Sequence, residues 1–382
     1  MKDIYELLND IDIDEKELEE MKAYEFEKEK VKRNLKQAIH KKKKTKNWKK
    51  GVAVASILVG LSVATLGIGF PTYAGGLPIV GDIFRFLDNG RTGLYENHKT
   101  NTDGKKGLHY DYKQHATEIN MTKESNGIKV TVNDAVFDGK TVSLTYSIES
   151  NQDLGQNPST FDFLKIKESD GISGSNQISK VDEGKYVGLV TASYFAGSKK
   201  DTVNIEWNIE SINVSENQRE IKGDWNFSLS LHAPESKEQS IRGSSEKEGV
   251  KVSLEKMEVA PMSFIIFYNQ EHSKGLLSNW DDVDVELEIK DDLGNQYVGE
   301  GNGGMSTDAE PDKSHWSTTF QKLNKNATKL IITPHVNLRI RTPDNYGGVE
   351  IIGGQEKKIE VPKKEAKSKD IVLDDIVIDL KK

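Results

Sequence analysis

The chain has 382 residues, with 53 Lys and Arg against 61 Asp and Glu, a net charge of -8, and 35% hydrophobic residues. The absence of cysteine excludes a disulfide framework, thiolate zinc sites, iron–sulfur clusters and a cysteine nucleophile. Nine prolines and 32 glycines exclude a collagen-like or proline-rich chain.

Residues 1–29 hold twelve acids and four bases. Ile4, Leu7, Leu8 and Ile11 follow the spacing of one helical apolar face. Asp14 with Glu17 fits a helix cap, and Leu18, Met21, Tyr24, Val31, Leu35 and Ala38 form a second stripe, interrupted at Lys28. Fifty residues this polar cannot build a core alone. The bland expectation is a helical tail. The sharper one is a helix-in-groove ligand that orders on a basic cytoplasmic partner through Leu7, Leu8, Met21, Tyr24, Val31 and Leu35.

From Lys30 to Lys50 there are eleven Lys and Arg and no acid. Residues 51–70, GVAVASILVGLSVATLGIGF, then carry no charge. Twenty such residues suffice to cross a hydrocarbon core of about 30 Å as a helix. The basic flank places residues 1–50 in the cytoplasm and residues 71–382 outside, in a single-pass cell-membrane topology. The Lys run is also suited to anionic lipid headgroups, and direct nucleic-acid binding is not expected of it. Thr72–Tyr73–Ala74 faintly resembles a cleavage site, but 50 residues precede the apolar segment, so an uncleaved anchor is expected over a signal peptide.

Residues 71–104 read as a membrane-proximal stalk. Beyond it the hydrophobic period becomes two, as at Ile128, Val130 and Val132, at Val142, Leu144, Tyr146 and Ile148, at Val203, Ile205, Trp207 and Ile209, at Trp225, Phe227, Leu229 and Leu231, and at Val283, Val285, Leu287 and Ile289. Clean alternation predicts antiparallel sheets with one buried and one wetted face. GIKVTVNDAVFDGKTVSLTYSIE from Gly127 is echoed by GVKVSLEKMEVAPMSFIIFYNQE from Gly249, an offset of 122 residues. A duplicated β-sandwich-like domain is the expectation, at 105–235 and 236–382, with 233–248 as a charged linker and IVLDDIVIDL, 371–380, as a last strand. The fold class is therefore mostly β, with a short helical inner segment and one transmembrane helix.

Motifs with chemistry are few. Gly299, Gly301 and Gly304 match GxGxxG, but no helix pattern follows, so a loop between strands is expected. Asp10, Asp12 and Asp14 fail the calcium-loop pattern, with Glu15 and Met21 at the positions that need Gly and Glu. Asp282, Asp284 and Glu286 line one strand face, read as solvated, with a weak calcium site with Asp281 or Asp291 as the sharper alternative. Ser314 and His315 are sequence neighbours without a third partner. No catalytic, cofactor or metal residue is assigned, and the chain is not expected to be an enzyme.

YELLNDIDID, KVKRNLKQAI, the Lys-rich anchor and GIKVTVNDAVFDGKTVSLTYSIES together resemble a family of single-span bacterial membrane proteins of bacilli. Their ectodomains are uncharacterised, and they are encoded beside extracytoplasmic-function sigma factors. The resemblance runs best through about residue 235. It implies an anti-sigma-factor-like role in signal transduction and transcription regulation in a Gram-positive envelope, with a sigma factor as inner partner and an unknown extracellular ligand. The zinc-binding pattern known in anti-sigma factors is absent, since the inner segment holds only His40 and no cysteine. The alternative is a membrane-anchored surface binding or adhesion protein without a sigma-regulatory role.

Overall fold

In the computed structural model the described residues are 82–88, 107–160, 164–169, 171–195, 200–214, 219–307, 310–346, 349–352, 355–361 and 363–381. All lie within Tyr73–Lys382. The inner helices, the partner-binding set Leu7, Leu8, Met21, Tyr24, Val31 and Leu35, and the apolar segment 51–70 lie outside the described residues. No helix of the described residues is long and apolar enough to cross a membrane.

The fold is mostly β and antiparallel. In the first half, strands β1 (Thr117–Ser125), β2 (Ile128–Phe137) and β3 (Thr141–Ser150) join β7 (Lys185–Tyr194) and β6 (Ile172–Asp182) in the order β1-β2-β3-β7-β6. A facing sheet centres on β8 (Thr202–Val214), which pairs with β9 (Arg219–His232), β4 (Pro158–Ser159) and β5 (Lys165–Ile166). In the second half, β10 (Lys237–Lys247), β11 (Val250–Val259), β12 (Ser263–His272), β16 (Glu310–Gln321) and β15 (Gly299–Thr307) form a sheet in that order. Opposite it, β13 (Asp282–Asp291) lies between β14 (Gln296–Tyr297) and β17 (Lys329–Arg339), and β17 also pairs with β20 (Ser368–Val372) and β21 (Ile376–Asp379). A small hairpin joins β18 (Val349–Ile352) and β19 (Gln355–Lys358).

The five-stranded sheets of the two halves have one topology. The 122-residue echo extends to backbone irregularities. The β1–β2 ladder slips between Glu118 and Met121, and β10–β11 slips between Ser240 and Gly243. The β2–β3 ladder slips between Val132 and Asp134, and β11–β12 between Leu254 and Lys256. Asn126 and Gly127 turn β1 into β2 with φ of 51° and 75°, and Glu248 and Gly249 turn β10 into β11 with φ of 51° and 86°. Two consecutive positive φ values suit a two-residue turn that follows the strand twist.

Each half has its own apolar core. The first gathers Ile128, Val130 and Tyr146 from one sheet and Trp207, Trp225 and Phe227 from the other. Tyr146 meets Trp207 edge-on at 4.8 Å between ring centres, and the buried Trp225 indole donates to the Ile128 carbonyl at 3.0 Å. The second core packs Val252, Phe264 and Phe320 against Ile289, Leu330 and Ile332.

The structure departs from the sequence expectations at five places. The central strands do not alternate: Val142 through Ile148 and Ser263 through Gln270 are buried on both faces, because the outer faces of the two five-stranded sheets cover each other. The charged stretch 233–248 contains strand β10 rather than only linker, since Ile241 and Ser245 point inward between exposed charges. Gly299–Thr307 is a strand rather than a loop. There a Cβ on Gly299 would lie 2.5 Å from the Phe320 ring and one on Gly304 2.3 Å from the Trp316 ring, so glycine lets neighbouring aromatic rings lie over the strand. The C-terminal run 371–380 is split between β20 and β21, both paired to β17. Within the stretch read as a stalk, Ile83–Leu87 form a helix, α1, with Ile83, Phe84 and Leu87 buried.

Candidate functional site

The contact between the two halves holds the buried charges Asp138, Lys140 and Glu258. It is built from two equivalent turns. In the first half Asp138–Gly139–Lys140 joins β2 to β3, and 122 residues later Ala260–Pro261–Met262 joins β11 to β12. Each turn closes through the same backbone bond, Asp138 N–H to Thr141 C=O at 3.2 Å and Ala260 N–H to Ser263 C=O at 2.9 Å. Each points its side chains at the other half.

The first turn is polar. The Asp138 carboxylate accepts from the backbone N–H of Lys140 at 2.8 Å and of Thr141 at 2.6 Å. Its second oxygen accepts from the Thr319 hydroxyl of the second half at 3.5 Å. Burial raises its pKa above the usual carboxylate range, partly offset by those donors. Lys140 is 1% exposed. Its ammonium donates to the Phe195 carbonyl at 3.1 Å and lies 4.4 Å over the Tyr194 ring and 5.7 Å from the Phe267 ring of the second half. Burial pulls its pKa down to about 8, against the opposing pull of Asp138 and Glu258. From the second half, Lys256 donates to Glu258 at 2.7 Å and to Glu238 at 2.9 Å, while the other Glu258 oxygen is buried without a hydrogen-bond partner.

Asn302 of β15 rivets the halves. Its carbonyl oxygen accepts from Thr141 at 3.0 Å and Ser193 at 3.3 Å. Its amide donates to Ser317 at 3.2 Å and Thr319 at 3.0 Å.

The second turn is apolar. Ala260 and Met262 pack with Val136, Val187 and Leu189 of the first half. Helix α1 and Tyr112 complete that seam with Ile83, Phe84 and Leu87. Asp82 caps α1 through the Arg85 N–H at 3.0 Å. Asp88 at its other end accepts from the His109 N–H at 2.8 Å, and Tyr112 stands edge-on to His109 at 4.8 Å. Gln321 of the second half donates to the Gly107 carbonyl at 2.9 Å, and Lys113 grips Asp134 of the first half at 2.7 and 2.8 Å. The strap 107–115 is thus tied to both halves.

The residues weighed for calcium are brought onto one ladder but are matched to cations. Asp281 receives Lys364 at 2.9 and 3.0 Å, Asp282 receives Arg341 at 2.6 Å, and Asp284 pairs with Arg339. Asp291 instead holds the β13–β14 turn by accepting from Leu293, Asn295 and Tyr297. Among the described residues no group of three or more potential ligands is arranged around a metal position. Ser314 accepts from the Trp316 indole at 2.7 Å, and His315 lies 3.6 Å from Glu255.

Two open clefts lie on the surface of the body. One, of about 600 Å³, is lined by Gln152, Asp153, Gln156, Lys180 and Arg219. The other, of about 520 Å³, is lined by Asn279, Trp280, Ile340, Lys364 and Lys367.

Reading by sequence pattern passed over Lys140 and Asn302, because a lysine in a turn and an asparagine among glycines ordinarily mark solvent. Laying DGK over APM at the 122-residue offset was the one available signal that both turns do related work.

Fold and interface define a tandem β-sandwich protein whose two halves contact through a polar face and one apolar seam. Residues 43–150 match a domain of unknown function (DUF4179), and residues 236–380 match a family of unknown function (DUF5643). A solved structure, the conserved domain protein from Bacillus anthracis, is 56% identical over 80% of this chain and 100% of that one, with a TM-score of 0.64. The chain belongs to the family of that protein. No curated protein matches it.

Proposed function

We propose that the chain is a single-pass, anti-sigma-factor-like membrane regulator. Residues 1–50 are cytoplasmic and hold a sigma factor through Leu7, Leu8, Met21, Tyr24, Val31 and Leu35. Residues 51–70 cross the cell membrane, and the β-halves outside read an envelope signal or extracellular ligand. The observation that carries this reading is the charge step: eleven cations without an acid in residues 30–50, set directly against twenty uncharged residues. The polar contact between the halves supports it, since domain contacts of that character permit relative motion. The clefts beside Arg219 and Trp280 favour a second reading, a membrane-anchored surface binding protein.

The test is co-purification of the full chain from bacterial membranes, wild type against Leu35→Asp. A buried leucine anchor contributes about 1.5–3 kcal/mol, so the substitution should weaken sigma-factor capture about tenfold or more. Capture of no sigma factor, or capture indifferent to Leu35→Asp, replaces the first reading with the second. Protease added to intact protoplasts should remove the β-halves and spare an N-terminal tag. Loss of the tag alone overturns the topology.

A further inference from the structure

We propose that α1 is a latch that holds the two β-halves together and links their contact to the membrane-proximal chain. The halves repeat each other, and so do their facing turns. Helix α1, like the strap 107–115, is an element of the contact without a counterpart in the repeat. It packs against β7 and shares one apolar cluster with Val187 and Leu189 of the first half and Ala260 and Met262 of the second. The strap behind it, 107–115, is tied to the first half through Lys113–Asp134 and to the second through Gln321–Gly107.

The remainder of the contact is unlike an apolar core. It holds Asn302 shared among four hydroxyls, the buried Lys140, and Glu258 with an unpartnered oxygen. Polar contacts of this kind exchange for water at small net cost, because each hydrogen bond lost is regained from solvent. The apolar seam has no such compensation, so closing the halves depends on α1 remaining seated. Coupling runs in both directions by thermodynamic necessity: what parts the halves must loosen α1, and what loosens α1 must part the halves. Helix α1 begins after only twelve residues beyond Phe70. On the anchored reading proposed above, on which this last step alone rests, unseating α1 transmits separation of the halves to the membrane.

The test uses the full chain in detergent micelles and reads two places remote from each mutation. Phe84→Ala should raise the rate of Lys140 acylation by a water-soluble amine reagent at least tenfold, with exposed Lys129 as the internal standard. Asn302→Ala should raise amide exchange across residues 82–88 at least tenfold. Tryptophan emission, from Trp207 and Trp225 in the first core and Trp280 and Trp316 beside the second, reports that the cores remain folded. Should Phe84→Ala fail that control, Leu87→Ala replaces it. Both increases together support the latch. If α1 exchanges freely while Lys140 remains protected, or Asn302→Ala leaves residues 82–88 unchanged, the two are uncoupled and the proposal falls. Neither result bears on sigma-factor capture, so the two proposals fail separately.

Discussion

The two β-halves share strand order, hairpin turns and ladder slips, yet they face each other with opposite chemistry. Where the first half presents Asp138 and Lys140, the second presents Ala260 and Met262. Asp138, Lys140, Ala260 and Met262 are all buried at the contact. The polar turn is satisfied on both sides: Thr319 of the second half donates to Asp138, and the Phe195 carbonyl of its own half accepts from Lys140. The apolar turn needs additional cover, which α1 and Tyr112 supply. The lesson is that a repeat conserves backbone geometry more readily than interface chemistry. The turn shape is imposed locally, while the turn side chains are chosen by what they meet. The cores diverge as well: the first fully buries Trp207 and Trp225, while Trp280 and Trp316 are only half-buried against the second.

This comparison can be broken or sharpened experimentally. The largest effect is expected at Trp207, which is fully buried and packs against Tyr146 and Phe227. Trp207→Ala should destabilise the first half by ~3–5 kcal/mol. Urea unfolding followed by near-ultraviolet dichroism measures it, and a midpoint unmoved would place the indole outside the core.

Lys140→Met makes the polar turn more like its apolar counterpart, and its signature is pH-dependent. The folded pKa of about 8 lies below the unfolded value near 10.5, so between those values the unfolded chain binds a proton that the folded chain does not. Wild-type stability therefore rises as the pH climbs through that window, by up to about 3 kcal/mol, and the full penalty stands below pH 8. Lys140→Met lacks this rise. Unfolding of both proteins at pH 8 and pH 10.5 should show the variant gaining relative to wild type at the lower value. Parallel pH profiles would mean that Lys140 is charged and solvated in the fold.

Asn302→Ala should cost about 1–3 kcal/mol, because it strips partners from buried hydroxyls in both halves at once. Calorimetry should then show the halves melting further apart in temperature. A cost near zero would mean water replaces the amide.

The smallest effect is expected at the hairpin turns. Asn126 tolerates its left-handed conformation better than Glu248 does, since a short amide side chain bonds locally. Glu248→Asn should therefore stabilise the second half by about 0.5 kcal/mol, with the exposed Lys369 ion pair contributing little. A loss of stability would show that this ion pair outweighs the backbone strain.

Residue order alone determined the β class, the 122-residue repeat and the inward residues of the outer sheets. A period of two and a pair of turn residues act within one or two strands, so they are written locally. Trp207, Trp225, Leu287 and Ile289 are inward as that period requires. What the pattern could not carry was the second burial of β3, β7 and β12. Their outer faces show Ser143, Thr145, Ser147 and Asn269, which read as wetted, and they are covered only because another sheet approaches from more than a hundred residues away. The same distance hid the candidate site. Lys140 becomes buried only with Phe267 opposite it, and Asn302 becomes a rivet only when Thr141 and Ser193 are brought to it. Tertiary structure also decided the fate of the carboxylate ladder on β13, since Arg339, Arg341 and Lys364 reach it from β17 and the chain beyond. Periodicity records which side of a strand a residue occupies. Whether that side meets water or another sheet depends on long-range packing, which no local period encodes.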